Sequence, residues 1–314
     1  MVAIEPMVEL RNLVRTFGTT RAVNEVSFTV GRGQVFGYIG PNGAGKTTSM
    51  RILATLDTPN AGDAFVDGFS VVDDPDRVRR RLGFMPDYFG TYPNMNVRDY
   101  LDFFARAYGL RGSERTRALS YVMDFTQLDE LATKPITGLS KGMKQRLCLG
   151  RTMIHSPAVL IMDEPAAGLD PRARIELREM IRRLAADGKT ILISSHILSE
   201  LAEMVDVIGI IEQGRMLAVG SVAEIHAMHK THSEVKVRVL GGSDLLAQWL
   251  TARGDVQQLN VDGEQVTFAH AGDEQTEADL LRDIMAAGFR VAAFGGTRKS
   301  LEDVFMQVTR GAVQ

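Results

Sequence analysis

Gly40-Pro41-Asn42-Gly43-Ala44-Gly45-Lys46-Thr47-Thr48 is the stretch on which the reading of this chain turns. It fits G-x-x-x-x-G-K-[ST], the phosphate-binding P-loop. Gly40, Gly43 and Gly45 let the backbone curl with its N–H groups pointing inward, toward phosphate oxygens. Asn42, Gly43, Ala44, Gly45 and Thr48 belong to that cradle. Lys46 adds a point charge for the β- and γ-phosphates, and the Thr47 hydroxyl can ligate Mg²⁺. Val35-Phe36-Gly37-Tyr38-Ile39 reads as a buried strand entering the loop. Thr48 to Leu53 reads as a helix leaving it, whose positive end would face the same anion. A chance Gly-rich turn is the alternative, and the strand before and helix after speak against it.

The chain has 314 residues, enough for one large domain or two smaller ones. At 45% hydrophobic and 24% charged residues it can bury an ordinary globular core. No apolar run approaches the ~18 residues of a membrane span. Residues 1–6 carry no basic region followed by an apolar core, so a secretory signal is not expected. One cysteine, Cys148, cannot form an internal disulfide and suits a reducing cytosol; a small buried apolar residue on a helix is expected there. Residues 1–220 hold 27 Lys/Arg and 26 Asp/Glu, while 221–314 hold 9 and 13. Neither half has the basic excess of a nucleic-acid-binding surface.

Short strands are expected at Met7–Leu10 and at Val26–Val30, with Phe17-Gly18 a turn between them that exposes an aromatic. Phe17 on its own reads as core; upstream of a P-loop it can stack on a base. Strands are also expected at 64–66, 82–85, 159–162, 190–195 and 207–211. Apolar residues at helical spacing from Val97 to Leu110 and from Leu119 to Phe125, then a helix capped by Ser140, mark a mainly helical insert, about 88–155. After Gly220 the composition shifts, and residues 221–232 read as a linking helix. His226, His229 and His232 in it are spaced three apart, but that spacing drifts round a helix and no carboxylate completes a metal set; a solvated linker is expected. Residues 233–314 follow the order βαββαβ plus a last helix, Ser300 to Val308. That order predicts a small α+β, ferredoxin-like sandwich.

Four further pieces carry chemistry. Leu160-Ile161-Met162-Asp163 is a hydrophobic strand ending in a carboxylate that can hold Mg²⁺ through water. Glu164 follows, where a carboxylate can orient and deprotonate a water aimed at a γ-phosphate. Leu139-Ser140-Lys141-Gly142-Met143-Lys144-Gln145-Arg146 sets a Ser, a Gly and free N–H groups at a helix N-terminus, a second anion site; a plain N-cap is the alternative. Gly168-Leu169-Asp170-Pro171 is a turn just after the acidic pair. His196, at a strand end, is a donor able to reach a γ-phosphate, or else a hydrogen-bonded structural histidine.

Together, in this order, these residues resemble the nucleotide-binding subunit of ABC transporters. Phe17 matches the family's adenine-stacking aromatic and Gly40 to Thr48 its Walker A loop. Asp163 and Glu164 match Walker B and its catalytic glutamate. Leu139 to Arg146 matches the LSGGQ signature, Gly168 to Asp170 the D-loop, and His196 the switch histidine. Lys141 and Met143 depart from the signature, where the family has Gly and Gln. Asp87 stands where the family has its Q-loop glutamine; a carboxylate there is expected near Mg²⁺, serving through one of its waters, with a simple turn residue after Pro86 as the alternative. Ser300-Leu301-Glu302-Asp303-Val304-Phe305 resembles the C-terminal end of the daunorubicin-resistance-type exporter ATPases.

The resemblance implies an α/β P-loop NTPase over residues 1–220, with a RecA-like core, an antiparallel β subdomain and a helical subdomain. It implies ATP and Mg²⁺ as ligands, and a head-to-tail homodimer in which ATP lies between Walker A of one subunit and the Ser140 region of the other. The partner is a separate integral membrane permease, the direction is export, and the seat is the cytoplasmic face of the membrane. A soluble ABC-type ATPase acting on nucleic acid or the ribosome is the rival. The single motif set, the 52 positions from Asp87 to Leu139 and the acidic tail argue against it.

Overall fold

A computed structural model describes residues 6–88, 90, 92, 94–228, 233–270 and 274–297. The chain divides between Ile225 and His226 into two compact units. His229, His232 and the 300–308 segment lie outside the described residues, and of His226 only the backbone is described.

The first unit opens with β1 (Pro6–Phe17), β2 (Thr20–Gly31) and β3 (Val35–Ile39), then α1 (Lys46–Leu53). β4 (Ala61–Val66), β5 (Phe69–Ser70), α2 (Pro75–Arg81) and β6 (Leu82–Met85) follow. Three helices come next, α3 (Val97–Ala107), α4 (Gly112–Phe125) and α5 (Lys141–Met153). The unit closes with β7 (Val159–Met162), α6 (Pro171–Ala186), β8 (Thr190–Ser195), α7 (Leu198–Ala202), β9 (Val207–Glu212), β10 (Arg215–Ser221) and the first residues of α8 (Val222–Met228), the helix in which the division falls.

Two sheets carry this unit. One is antiparallel, in the order β2-β1-β4-β5; the other runs β10-β9-β3-β8-β7-β6 and is parallel from β9 to β6. β7 and β8 lie inside the parallel sheet and are buried along their whole length, which is why Val159-Leu160-Ile161-Met162 and Ile191-Leu192-Ile193 read as unbroken apolar runs. The sheets meet through aromatics. Phe28 of β2 stacks on Phe36 of β3 at 4.8 Å, and Tyr38 tilts against Phe28 at 5.3 Å. α3, α4 and α5 pack together as the helical subdomain, where Gly150 of α5 lets Val122 of α4 come close.

Several strands differ from the sequence expectation: β2 begins at Thr20 instead of Val26, and the short β5 was not expected. β1 runs on to Phe17 instead of stopping at Leu10. It is bulged around Asn12, which has φ +48, so Arg11, Asn12 and Arg15 break the apolar alternation that marks an ordinary strand. β10 was not expected at all. It is a half-exposed edge strand, and Arg215-Met216-Leu217-Ala218 shows no clean alternation.

The second unit contains β11 (Ser233–Val239), α9 (Ser243–Thr251), β12 (Val256–Asp262), β13 (Gln265–His270), α10 (Glu274–Ala286) and β14 (Val291–Thr297). Its antiparallel sheet runs β12-β13-β11-β14, with the first and third strands central, as a ferredoxin-like βαββαβ unit requires. Val235, Val237 and Val239 alternate inward with Val266 and Phe268, and Leu246, Leu250, Leu280 and Ile284 of the two helices close the core.

Phe268 is the largest side chain buried in that small core. Phe268→Ala should therefore weaken the second unit by about 3–5 kcal/mol. Hydrogen exchange at the β11 and β13 amides measures this, and unchanged protection there would show that the core does not rest on Phe268.

Candidate functional site

The parallel sheet places the site. β3, β8, β7 and β6 run the same way, with Ile39 beside Ser195, Met162 beside Ile193 and Met85 beside Met162. Their carboxyl ends therefore deliver the P-loop, His196, Asp163-Glu164 and Asp87 to one edge, where ligands bind in open parallel sheets.

The P-loop is tightly determined. Gly45 caps α1 at φ +103, and Gly43 has φ +80, both in the region that favours glycine. A side chain on Gly45 would strike the Ala22 carbonyl, and one on Gly40 the Ile211 carbonyl. Lys46 is buried, and its ammonium donates to Gly40 O at 2.6 Å and Pro41 O at 3.2 Å. Burial pulls its pKa down, and the nearby Glu164 and Asp163 charges oppose this.

Asp163, Glu164, Ser194 and His196 form a connected cluster. The Ser194 hydroxyl donates to Asp163 Oδ1 at 2.5 Å and accepts the Glu164 N–H at 2.8 Å. Glu164 sits between Lys46 and His196. Its Oε1 lies 3.5 Å from Lys46 Nζ, and its Oε2 accepts from His196 Nδ1 at 2.8 Å. A carboxylate can only accept here, so the His196 proton is on Nδ1. Burial pushes the Asp163 carboxyl above its ordinary range. The Ser194 and Thr47 hydroxyls pull it back, while the Asp87 and Glu164 charges add to the rise. Asp163 Oδ2 and Glu164 Oε1 are buried without a hydrogen-bond partner.

That orphaned oxygen beside Thr47 fits a hard cation such as Mg²⁺. Among the described residues no group of three or more His, Cys, Asp or Glu is assembled to hold a metal alone. The donor set thus suits an ion that keeps waters and takes phosphate oxygens as well.

The remaining candidates are more dispersed. Asp87 is exposed and its Oδ1 accepts its neighbour Tyr88 N–H at 2.7 Å, yet its charge reaches Asp163. Phe17 ends β1, 48% exposed, with the Arg15 guanidinium 4.5 Å above its ring. Ser140 caps α5 by accepting Met143 N–H at 3.3 Å, and Asp170 caps α6 by accepting Ala173 N–H at 3.0 Å. Gly142 packs against Ala173, and the Lys141 ammonium lies over Gly168. Ser140, Gly142 and Asp170 thus cluster around the starts of α5 and α6, and among the described residues no hydrogen bond or ion pair joins them to the P-loop. Cys148 is buried on α5, its thiol pushed up to about 11 by burial.

Two site residues are given no role of their own by the sequence, although Gln145 lies within the Leu139–Arg146 stretch. Ser194 is the link between the two carboxylates; its only signal is a pair of hydroxyls at the end of an otherwise apolar strand. Gln145 is buried and donates Nε2–H to Pro165 O at 2.6 Å, next to Glu164.

Known proteins match this chain in both units. The family described as ABC transporter matches residues 23–167, and that described as ATP-binding protein DrrA1-3-like, C-terminal domain, matches residues 220–309. The Nod factor export ATP-binding protein I of Ralstonia nicotianae is 35% identical over 309 residues, covering 97% of this chain and 94% of that protein. A solved ATP binding subunit of an ABC transporter superposes with a TM-score of 0.65 at 31% identity, over 71% of this chain and 92% of that one. The dimeric structure of a post-hydrolysis ATP-binding cassette bound to ADP and Pi shares the fold, with a TM-score of 0.62 at 23% identity, over 69% of this chain and 99% of that one.

The buried Asp163 charge costs stability that the fold does not recover locally. Asp163→Asn should raise the unfolding midpoint of the nucleotide-free protein at neutral pH by about 1 kcal/mol equivalent, while removing Mg²⁺-dependent nucleotide affinity. Thermal scans with and without MgATP test both halves. A lower midpoint without nucleotide would show the carboxylate to be net stabilising.

Proposed function

The chain belongs to the ATP-binding subunits of ABC transporters, and from that premise we propose how its residues hydrolyse ATP and what the hydrolysis drives. The observation that carries the reading is Glu164 held between Lys46 and His196. The inward N–H groups of residues 42–48 cradle the phosphates, and Lys46 exchanges its loop carbonyls for them. Thr47 and Asp163 would hold Mg²⁺, within reach of the Asp87 charge, and the ion would supply charge neutralisation on the phosphates. Glu164 orients a water and accepts its proton, in line with the leaving group. His196, fixed through Nδ1, keeps Glu164 aimed and presents Nε2 outward. Phe17 stacks on the base.

Ser140, Gly142 and Asp170 act on a second nucleotide, that of a partner copy. Their helix starts offer N–H groups to phosphate, as a head-to-tail dimer needs. ATP shared between two half-sites favours the closed pair, and its hydrolysis releases it. That cycle drives a separate membrane permease in the direction of export, from the cytoplasmic face. The C-terminal family match and the export role in the relative's name support the direction. No helix among the described residues is long and apolar enough to cross a membrane.

Glu164→Gln should keep ATP binding, lower turnover by about 100-fold or more, and accumulate an ATP-bound dimer. Light scattering with and without ATP reads the dimer; a strict monomer at micromolar protein would overturn the shared-site reading. Asp87→Gln should narrow the gap between ATP affinities with and without Mg²⁺, chiefly by improving metal-free binding, because a charge near the phosphates is removed. Equal affinities in wild type and variant under both conditions, measured by titration, would remove Asp87 from the site.

A further inference from the structure

Glu164 is held in an unfavourable place. It has φ +48, in the left-handed region, and it precedes a proline, whose ring restricts the residue before it. Pro165 and Ala166 are buried, and the Glu164 carbonyl accepts from Ala167 N at 3.1 Å. Two further hydrogen bonds anchor the turn from either side. On the amino side the Glu164 N–H is taken by Ser194 Oγ at 2.8 Å. On the carboxyl side Pro165 O is taken by Gln145 Nε2 at 2.6 Å. A carbonyl only accepts, so the amide orientation of Gln145 is unambiguous.

Gln145 has no other reason to be polar. It is 8% exposed and followed by Leu147, Cys148 and Leu149, all buried in the same helix. An unpaired amide there would be costly. It also sits on α5, the helix capped by Ser140, about 7.5 Å along the axis from that cap. Its bond to Pro165 O joins α5 to the turn that holds Glu164.

We propose that Gln145 is a positioning residue for ATP hydrolysis: through Pro165 O it holds Glu164 at its working angle and ties that angle to the helix start at Ser140. The proposal rests on the reading of Glu164 as the water-orienting carboxylate and of Ser140 as a contact to the partner copy's nucleotide. A nucleotide drawn against Ser140 moves α5, and α5 moves the turn. Each subunit's carboxylate thereby registers whether the opposite site is filled.

Gln145→Met keeps length and bulk but removes the donor; Gln145→Glu keeps the shape and puts a carboxylate against the carbonyl. In the full chain, both should lower kcat by about 10–100-fold, the range expected for a misaimed catalytic group. ATP affinity should stay within about twofold, because the P-loop is untouched. Cooperativity in ATP should fall toward a Hill coefficient of 1. A double-mutant cycle with Glu164→Gln then separates positioning from general damage. If Gln145 acts through Glu164, adding Gln145→Met to Glu164→Gln should leave the residual turnover unchanged. An equal fractional loss in both backgrounds, an unchanged kcat in the single variants, or parallel loss of kcat and ATP affinity would each overturn the proposal. Failure of the two-site reading shows separately, as absence of an ATP-induced dimer in Glu164→Gln with Gln145 intact.

Discussion

The parallel register of β3, β8, β7 and β6 is the constraint on which everything else at this site depends. Four strands that share a direction and a register must end together, and each end here carries a different chemical group. A one-residue slip would move a side chain to the other face of the sheet and break the set. Burial backs the register, since β7 and the Ile191-Leu192-Ile193 run of β8 are apolar and covered. The chemistry is thus precise because the strands beneath it have no alternative packing.

The site works against the stability of the fold that carries it. Lys46 is nearly covered and its pKa is drawn down, Asp163 is covered and pushed up, and two carboxylate oxygens have no donor. Glu164 adds backbone strain. Such features gather at functional sites, where the surrounding structure holds what would otherwise relax. The Ser194 hydroxyl is the economical element: one oxygen restrains the side chain of Asp163 and the main chain of Glu164 together.

The nucleotide end of the molecule was legible because its residues are constrained by type and spacing. The P-loop glycines, Lys46, Asp163, Glu164 and His196 each sit where a strand must end, and an apolar run announces every such strand. The βαββαβ order of the tail was legible from alternating valines such as Val235, Val237 and Val239. What escaped was structure whose signal is non-local. β10 is an edge strand without alternation, and β1 is masked by its bulge. Ser194 and Gln145 are polar residues in buried stretches, and nothing in a linear pattern tells which carbonyl or carboxylate they meet across 20 or 30 positions. Ser140 was legible as a cap, which it is; Asp170, legible only as part of a turn, caps α6 as well, and a cap and an anion site use the same free N–H groups.

The phosphate-binding loop is a loop in outline only. Its Ala44 carbonyl accepts from Gly214 N at 3.0 Å, at the turn between β9 and β10, and the Gly214 carbonyl accepts from Asn24 N at 2.8 Å on β2. One chain of main-chain bonds therefore runs from the loop through one sheet's turn into the other sheet. Gly40 and Gly45 lie against the carbonyls of Ile211 and Ala22, with no space for a side chain between. The conformational entropy of the loop has been given up when the two sheets fold, so closing on a phosphate requires little further ordering. Affinity at this position is accordingly set by charge and hydrogen bonding rather than by the freezing of a mobile segment.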